Sequence, residues 1–174
     1  SFPTRRSSDL ANLLLERHLQ EHGDHLRQLG LSVWGTATMR TGGDDIAQAL
    51  ALLGVRPVWQ AGSQRVADFE ILPVSLLDRP RVDVTLRVSG FFRDAFANLI
   101  RLFDAAVQAV AELDEAEELN PLAARVRLER QRLEAQGTAP AEARRQAGWR
   151  IFGAKPGAYG AGVQGAIEER LWET

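Results

Sequence analysis

The sequence predicts an α/β fold: a mainly parallel sheet flanked by helices, with a helical C-terminal portion. Three observations carry this expectation. Short strand-like apolar runs alternate with stretches of helical periodicity as far as residue 113. The clearest strand, residues 82–88 (VDVTLRV), alternates with period two over most of its length. The turn behind it, Ser89-Gly90, opens directly into a long apolar-faced helix. Strands separated by helices in this way are joined by crossovers and pair in parallel.

The first ten residues, SFPTRRSSDL, have no helical or strand periodicity and join abruptly to Leu13-Leu14-Leu15. They resemble the in-frame translation of a common sequencing adapter and are set aside as a non-native segment. The ending Leu171-Trp172-Glu173-Thr174 has no helix stop or polar tail, so the natural chain is expected to continue on both sides. Residues 11–113 are then the α/β domain, and residues 114–174 a helical and glycine-rich extension of it.

Within that frame, residues 11–21 place Leu14, Leu15, His18, Leu19 and His22 at helical spacing, with Gly23 as the stop. Residues 31–34 (LSVW) are a brief strand. Residues 42–53 form a helix whose inward face is Ile46, Ala49, Leu50 and Leu53, and Gly54 falls where a left-handed C-terminal cap belongs. Strands follow at 55–59, 66–74 and 82–88. One helix over residues 91–113 carries Phe92, Phe96, Leu99, Ile100, Phe103, Val107 and Val110 inward. Beyond it the chain turns charged over residues 114–136. Asn120-Pro121 there starts a helix with a sparse stripe of Leu122, Val126 and Leu133, and the charges form a solvated face or a partner surface. Pro140 opens a last helix, and from Gly153 the chain is rich in glycine.

Composition narrows the function. The chain has 174 residues, 45% hydrophobic and 25% charged, with a net charge of −2 and no cysteine. No basic field attracts nucleic acid, no disulfide or thiolate metal site can form, and the cytoplasm is the expected setting. No run of about 18 apolar residues indicates a membrane span.

Several motifs fall short of the chemistry they suggest. Gly160-Ala161-Gly162-Val163-Gln164-Gly165 fits the dinucleotide pattern by letter, but no good strand precedes it and no ribose-binding acid follows at the required distance. Lys155 precedes the glycines and is followed by Pro156, so there is no phosphate-binding G-K-[ST] step. His18, His22 and His25 could align for a metal such as Zn or Co if one helix ran through them, which Gly23 opposes; an exposed polar face is the other reading. In Thr41-Gly42-Gly43-Asp44-Asp45, Thr41 can cap the helix with Asp44 closing an approximate capping box. The two carboxylates suit the positive end of the helix dipole and would repel phosphate.

Ligands of open α/β sheets bind beyond the carboxyl ends of the strands. If the first and last strands are parallel, two strand-to-helix loops open on one edge. One offers Trp34, Thr36, Arg40 and Thr41; the other offers Ser89, Phe91, Phe92, Arg93 and Asp94. Hydroxyls, two guanidinium forks and flat apolar surfaces suit a large planar ligand bearing carboxylates. Equally, Arg93 and Asp94 could serve only to pair with neighbours in the fold.

Four segments, GLSVWGTATMRTGGDDIAQALALLGVRPVW, RPRVDVTLRVSGFFRDAFANLIRLFDAAV, DEAEELNPL and RIFGAKPGAYGAGVQGAIEERLW, resemble in order and spacing the C-terminal part of the CobN and magnesium chelatase H-subunit family. TATMRTGGDD, SGFFRD and FGAKPGAYGAG are similar to the cobaltochelatase branch. The resemblance implies the large, substrate-binding subunit of an ATP-dependent cobaltochelatase, which inserts Co²⁺, as substrate metal, into hydrogenobyrinic acid a,c-diamide in aerobic cobalamin synthesis. It further implies AAA+ motor partners that hold ATP and Mg²⁺, and a much longer parent chain without which this segment is inactive. Insertion needs a base for two pyrrolic protons, for which Asp44, Asp45 and Asp94 are the candidates, while the arginines hold the ring's carboxylates. The alternatives are a magnesium chelatase subunit acting on protoporphyrin IX, or a segment that only packs against the rest of such a subunit or its motors. A free-standing nucleotide-binding domain ranks last.

Overall fold

A computed structural model describes residues 3–33, 42–59 and 66–153. In chain order the elements are α1 (Pro3–His22), β1 (Gln28–Val33), α2 (Gly42–Leu53), β2 (Val55–Trp59), β3 (Val66–Ile71), α3 (Val74–Leu77), β4 (Asp83–Val88), α4 (Gly90–Ala95), α5 (Ala97–Ala111), α6 (Pro121–Ala135), α7 (Pro140–Ala147) and β5 (Ile151–Gly153). The α/β expectation holds: β1, β4 and β5 make a parallel sheet with β4 in the middle, flanked by helices.

β4 is central because its sequence allows it. Val84, Leu86 and Val88 are buried, and Val82 just ahead of it is as well. β1 runs beside it in register from Gln28↔Asp83 to Val33↔Val88, and β5 on the other side from Leu86↔Ile151 to Val88↔Gly153. The expected inward face of α2 is confirmed, with Ile46, Ala49, Leu50 and Leu53 all fully buried. Each of its three large aliphatic side chains contributes about 1.5–3 kcal/mol by leaving water. The outer side of α2 is covered by α1 through Ala11 and Leu15.

Four expectations need correction. Residues 3–10, which show no periodicity, continue α1 as helix, so α1 starts well ahead of the apolar stretch that announces it. β2 and β3 do not join the parallel sheet; they pair antiparallel with each other as a separate hairpin. Pro57, which has no N–H to give a ladder, is tolerated there because both strands of a two-stranded hairpin are edges. The chain after Ile71 does not continue as strand but turns into the short helix α3. The single helix over residues 91–113 is two, α4 and α5, separated at Phe96, whose φ of −123° and ψ of 39° lie outside the helical region. The Phe92 and Phe96 rings meet at 4.8 Å between centroids, and Phe92 is fully buried while Phe96 packs at the core's margin.

Helix ends follow their sequence signals. Gly23 (φ 73°) and Gly54 (φ 83°) close α1 and α2 in the left-handed region. Asn120 caps α6 with its side-chain oxygen accepting from the Ala123 N–H at 2.9 Å, and Pro121 occupies the first helical position.

Candidate functional site

The carboxyl ends of all three parallel strands are level. Val33 lies opposite Val88, Val88 lies opposite Gly153, and the Ser89 N–H donates to the Val33 carbonyl at 3.3 Å. Three chain segments therefore leave the sheet from one edge: the connection to α2, the turn into α4, and the glycine-rich stretch after Gly153. Sequence reasoning anticipated the first two. It missed the third because β5 is three residues long and carries no periodicity of its own.

Of the residues expected on this edge, Trp34, Thr36, Arg40 and Thr41 lie outside the described residues, as does the glycine-rich stretch. Asp44 belongs to the first turn of α2, and Asp45 follows it, half-buried. Ser89 is the cap of α4, its hydroxyl accepting from the Phe92 N–H at 3.0 Å, so its local role is structural. Phe91 is half-buried and remains available to the edge, whereas Phe92 is sealed in the core and offers no ligand surface. Asp94 is exposed. Arg93 sits one turn into α4, half-buried, and its Nε is shielded from solvent without a hydrogen-bond partner among the described residues.

The three histidines do not form a ligand set. α1 ends at His22, and Gly23 turns the chain away before His25. The His18 and His22 rings stack at 4.3 Å, and their Nδ1 atoms are engaged with the carbonyls of Asp24 (3.1 Å) and His18 (3.2 Å). Among the described residues no three His, Asp or Glu side chains are placed to share a metal ion.

At the opposite, amino end of the sheet lie two polar clusters, neither anticipated. Arg79 and Arg81, either side of Pro80, close the C-terminus of α2, where a helix presents unpaired carbonyls and a negative dipole end. Arg79 donates to the carbonyls of Ala51 and Leu52 and to Asn12 of α1. Burial, and then the neighbouring Arg81 charge, lower its pKa to about 10, which leaves it a cation at neutral pH. Arg81 is 1% exposed; it donates to the carbonyls of Leu53, Gly54 and Leu72 and makes a two-pronged pair with Glu115 at 2.8 and 3.1 Å. Asn120 completes this cluster by donating to Glu115 at 2.9 Å. Glu115 and Asn120 of the charged region thus belong to the interior. The α6 pairs Arg130–Glu134 and Arg132–Glu129 form the solvated face expected of the rest.

The second cluster centres on Asp83, 3% exposed at the start of β4. Arg150 grips it with Nε at 2.7 Å and Nη2 at 3.2 Å, and Arg125 of α6 approaches it at 3.5 Å while also bonding Gln28 of β1. The readable signal for both clusters is R-P-R-V-D, three charges directly ahead of an alternating strand. Two surface grooves lie away from the carboxyl edge. One of about 570 Å³ lies against Asp24, His25, Arg27 and Arg79; one of about 500 Å³ runs along Trp149, Phe152 and Arg145.

Comparison with known proteins fits this architecture. Over 164 residues the chain is 60% identical to the aerobic cobaltochelatase subunit CobN of Sinorhizobium sp., covering 94% of this chain and 13% of that protein. Over 177 residues it is 34% identical to the chloroplastic magnesium-chelatase subunit ChlH of Oryza sativa subsp. japonica, covering 99% of this chain and 12% of the relative. Among solved structures, the catalytic subunit of cobaltochelatase from Mycobacterium tuberculosis superposes with a TM-score of 0.82 at 49% identity, over 98% of this chain and 14% of that one. The chain therefore spans about an eighth of the length of these relatives. Residues 3–174 match the family described as CobN/Magnesium Chelatase, and the chain belongs to that family.

Proposed function

We propose that this chain forms one wall of the tetrapyrrole-binding cleft in the large subunit of a cobaltochelatase. The reaction is insertion of Co²⁺ into hydrogenobyrinic acid a,c-diamide, in the cytoplasm, with ATP and Mg²⁺ handled by separate AAA+ subunits. The observation that carries the reading is the level carboxyl edge of β1, β4 and β5, with Arg93 beside it holding a shielded and unpartnered Nε. A buried guanidinium N–H without an acceptor is costly, and a carboxylate arriving with the ligand would satisfy it with a charge-assisted bond. The higher identity to the cobalt enzyme's subunit than to the rice magnesium-chelatase subunit supports cobalt over magnesium as the substrate metal.

In this reading Arg40 and Arg93 hold peripheral carboxylates of the ring, while Trp34 and Phe91 flank its plane and Thr36 and Thr41 contribute hydroxyls. Asp44, Asp45 or Asp94 accepts the two pyrrolic protons as the metal enters; a carboxylate held near neutral charge balance by the adjoining arginines suits that role. The packing-only alternative is weakened by the interior placement of Glu115 and Asn120, which removes two polar groups from the surface it would use.

The test is Arg40→Ala and Arg93→Ala within a full-length subunit. Losing one charge-assisted fork removes about 1.5–3 kcal/mol, or roughly 10- to 100-fold in corrinoid affinity. Affinity and chelation rate both unchanged in the two variants would sink the proposal.

A further inference from the structure

We propose that Asp83 and Arg150 are positioning residues for the same cleft: a clamp at the amino end of the sheet that sets where the third segment leaves its carboxyl edge. The inference rests on the binding-wall reading and deepens it. β5 has only three residues in register with β4, too few to specify that register by their own pairing. Two devices supply what the strand lacks. At its start, the Arg150 carbonyl accepts from the Leu86 N–H at 2.8 Å, while the Arg150 side chain reaches back along β4 to grip Asp83 with both prongs. At its end, Gly153 (φ 151°) lies so close to β4 that an added Cβ would sit 2.0 Å from the Val88 carbonyl oxygen.

The clamp is more than a local pair. Asp83 also faces Arg125 of α6, and Arg125 bonds Gln28, which is the residue opposite Asp83 on β1. One buried carboxylate thereby ties β1, β4, α6 and the start of β5 together at the amino end. A slip of β5 by one residue would move the exit of the following segment by about 3.3 Å and turn its side chains to the other face. It would also push Phe152 toward the place that only glycine fits. Displacements of about 1 Å at a reacting geometry can cost roughly a hundredfold, so a 3 Å shift of one cleft segment is large on the scale that matters.

The experiment compares Arg150→Gln with Arg93→Ala and Asn120→Ala in a full-length subunit, using hydrogenobyrinic acid a,c-diamide as the titrated probe. Melting temperature and amide exchange at Leu86 are read alongside. Asn120→Ala controls for plain destabilisation, because it loosens the Arg81 cluster and leaves Asp83 and Arg150 intact. Expected is a loss of corrinoid affinity of at least tenfold and faster exchange at Leu86 in Arg150→Gln, with partial retention of both in Arg150→Lys. Asn120→Ala should lower the melting temperature at least as far yet keep affinity within twofold. Should Arg150→Gln not fold, Arg150→Lys is read against Asn120→Ala in its place. Affinity within twofold of wild type in the Arg150 variant, while Arg93→Ala weakens binding, would overturn the positioning role alone. Equal losses in the Arg150 and Asn120 variants would overturn it too. An inert Arg93→Ala would overturn the binding wall, and the register half of the proposal would then stand or fall on exchange at Leu86.

Discussion

Replacing Arg81 by Met removes the hub that joins the end of α2, the turn after β3 and the loop before α6. The guanidinium is 1% exposed, and three main-chain carbonyls and the two oxygens of Glu115 accept from it. A methionine fills most of the volume but donates nothing, so those carbonyls lose charge-assisted bonds and Glu115, at 18% side-chain exposure, keeps a charge with only Asn120 to answer it. Breaking one side of a buried pair costs about 3–5 kcal/mol. For a chain of this size each kcal/mol moves the melting point by about 2–4 °C, so the expected loss is roughly 6–20 °C by circular dichroism. The decisive comparison is the double variant Arg81→Met with Glu115→Gln. The single change is costly largely because it strands a carboxylate, so neutralising that carboxylate should recover at least 1 kcal/mol relative to the sum of the two single changes. Additive losses, or a single variant within 1 kcal/mol of wild type, would refute the assignment of Arg81 as the hub.

Two further outcomes are expected. Gly153→Ala should detach β5 from β4, because its Cβ would meet the Val88 oxygen at 2.0 Å and its φ of 151° is strained for an L side chain; a loss of about 2–4 kcal/mol is expected by urea unfolding, with faster amide exchange in β4. The Glu129 carboxyl titrates below its ordinary value, chiefly through the hydrogen bond from Arg132. Its small contribution to stability is therefore present above about pH 4.5 and fades as the pH falls through the lowered pKa, and Arg132→Ala should return the titration, followed by NMR, toward the ordinary value.

How far the sequence could be read depended on the range of the interaction that sets each feature. Elements fixed locally were legible: α2 from its apolar spacing and Gly54, α6 from Asn120-Pro121, β2 and β4 from their residues. The pairing of β2 with β3 was a non-local choice, although Pro57 within the run already argued for an edge. The break at Phe96 left no trace in the apolar spacing, which runs unbroken through α4 and α5, because the departure is a change in backbone angles at one residue. β5 was invisible because three residues cannot show a period, and what holds it is a partner 67 positions away in Asp83.

The same distinction explains the candidate site. The carboxyl edge could be foreseen because parallel pairing of two predicted strands places their loops together whatever their side chains do. Which side chains face a ligand could not, and Phe92 shows why: SGFFRD presents two aromatic residues in sequence, but a helix starting at Gly90 sends one to the core and leaves the other half-buried. The charged residues misled in the opposite direction. R-P-R-V-D and the acidic stretch before Asn120 look like surface, yet Arg81, Asp83 and Asn120 are among the most buried polar groups described, each satisfied by partners from other elements. Buried ion pairs add little net stability over apolar residues of the same volume, but they tolerate few alternative arrangements. At the amino end of this sheet they fix strand register, and strand register is what decides how three segments meet at the other end.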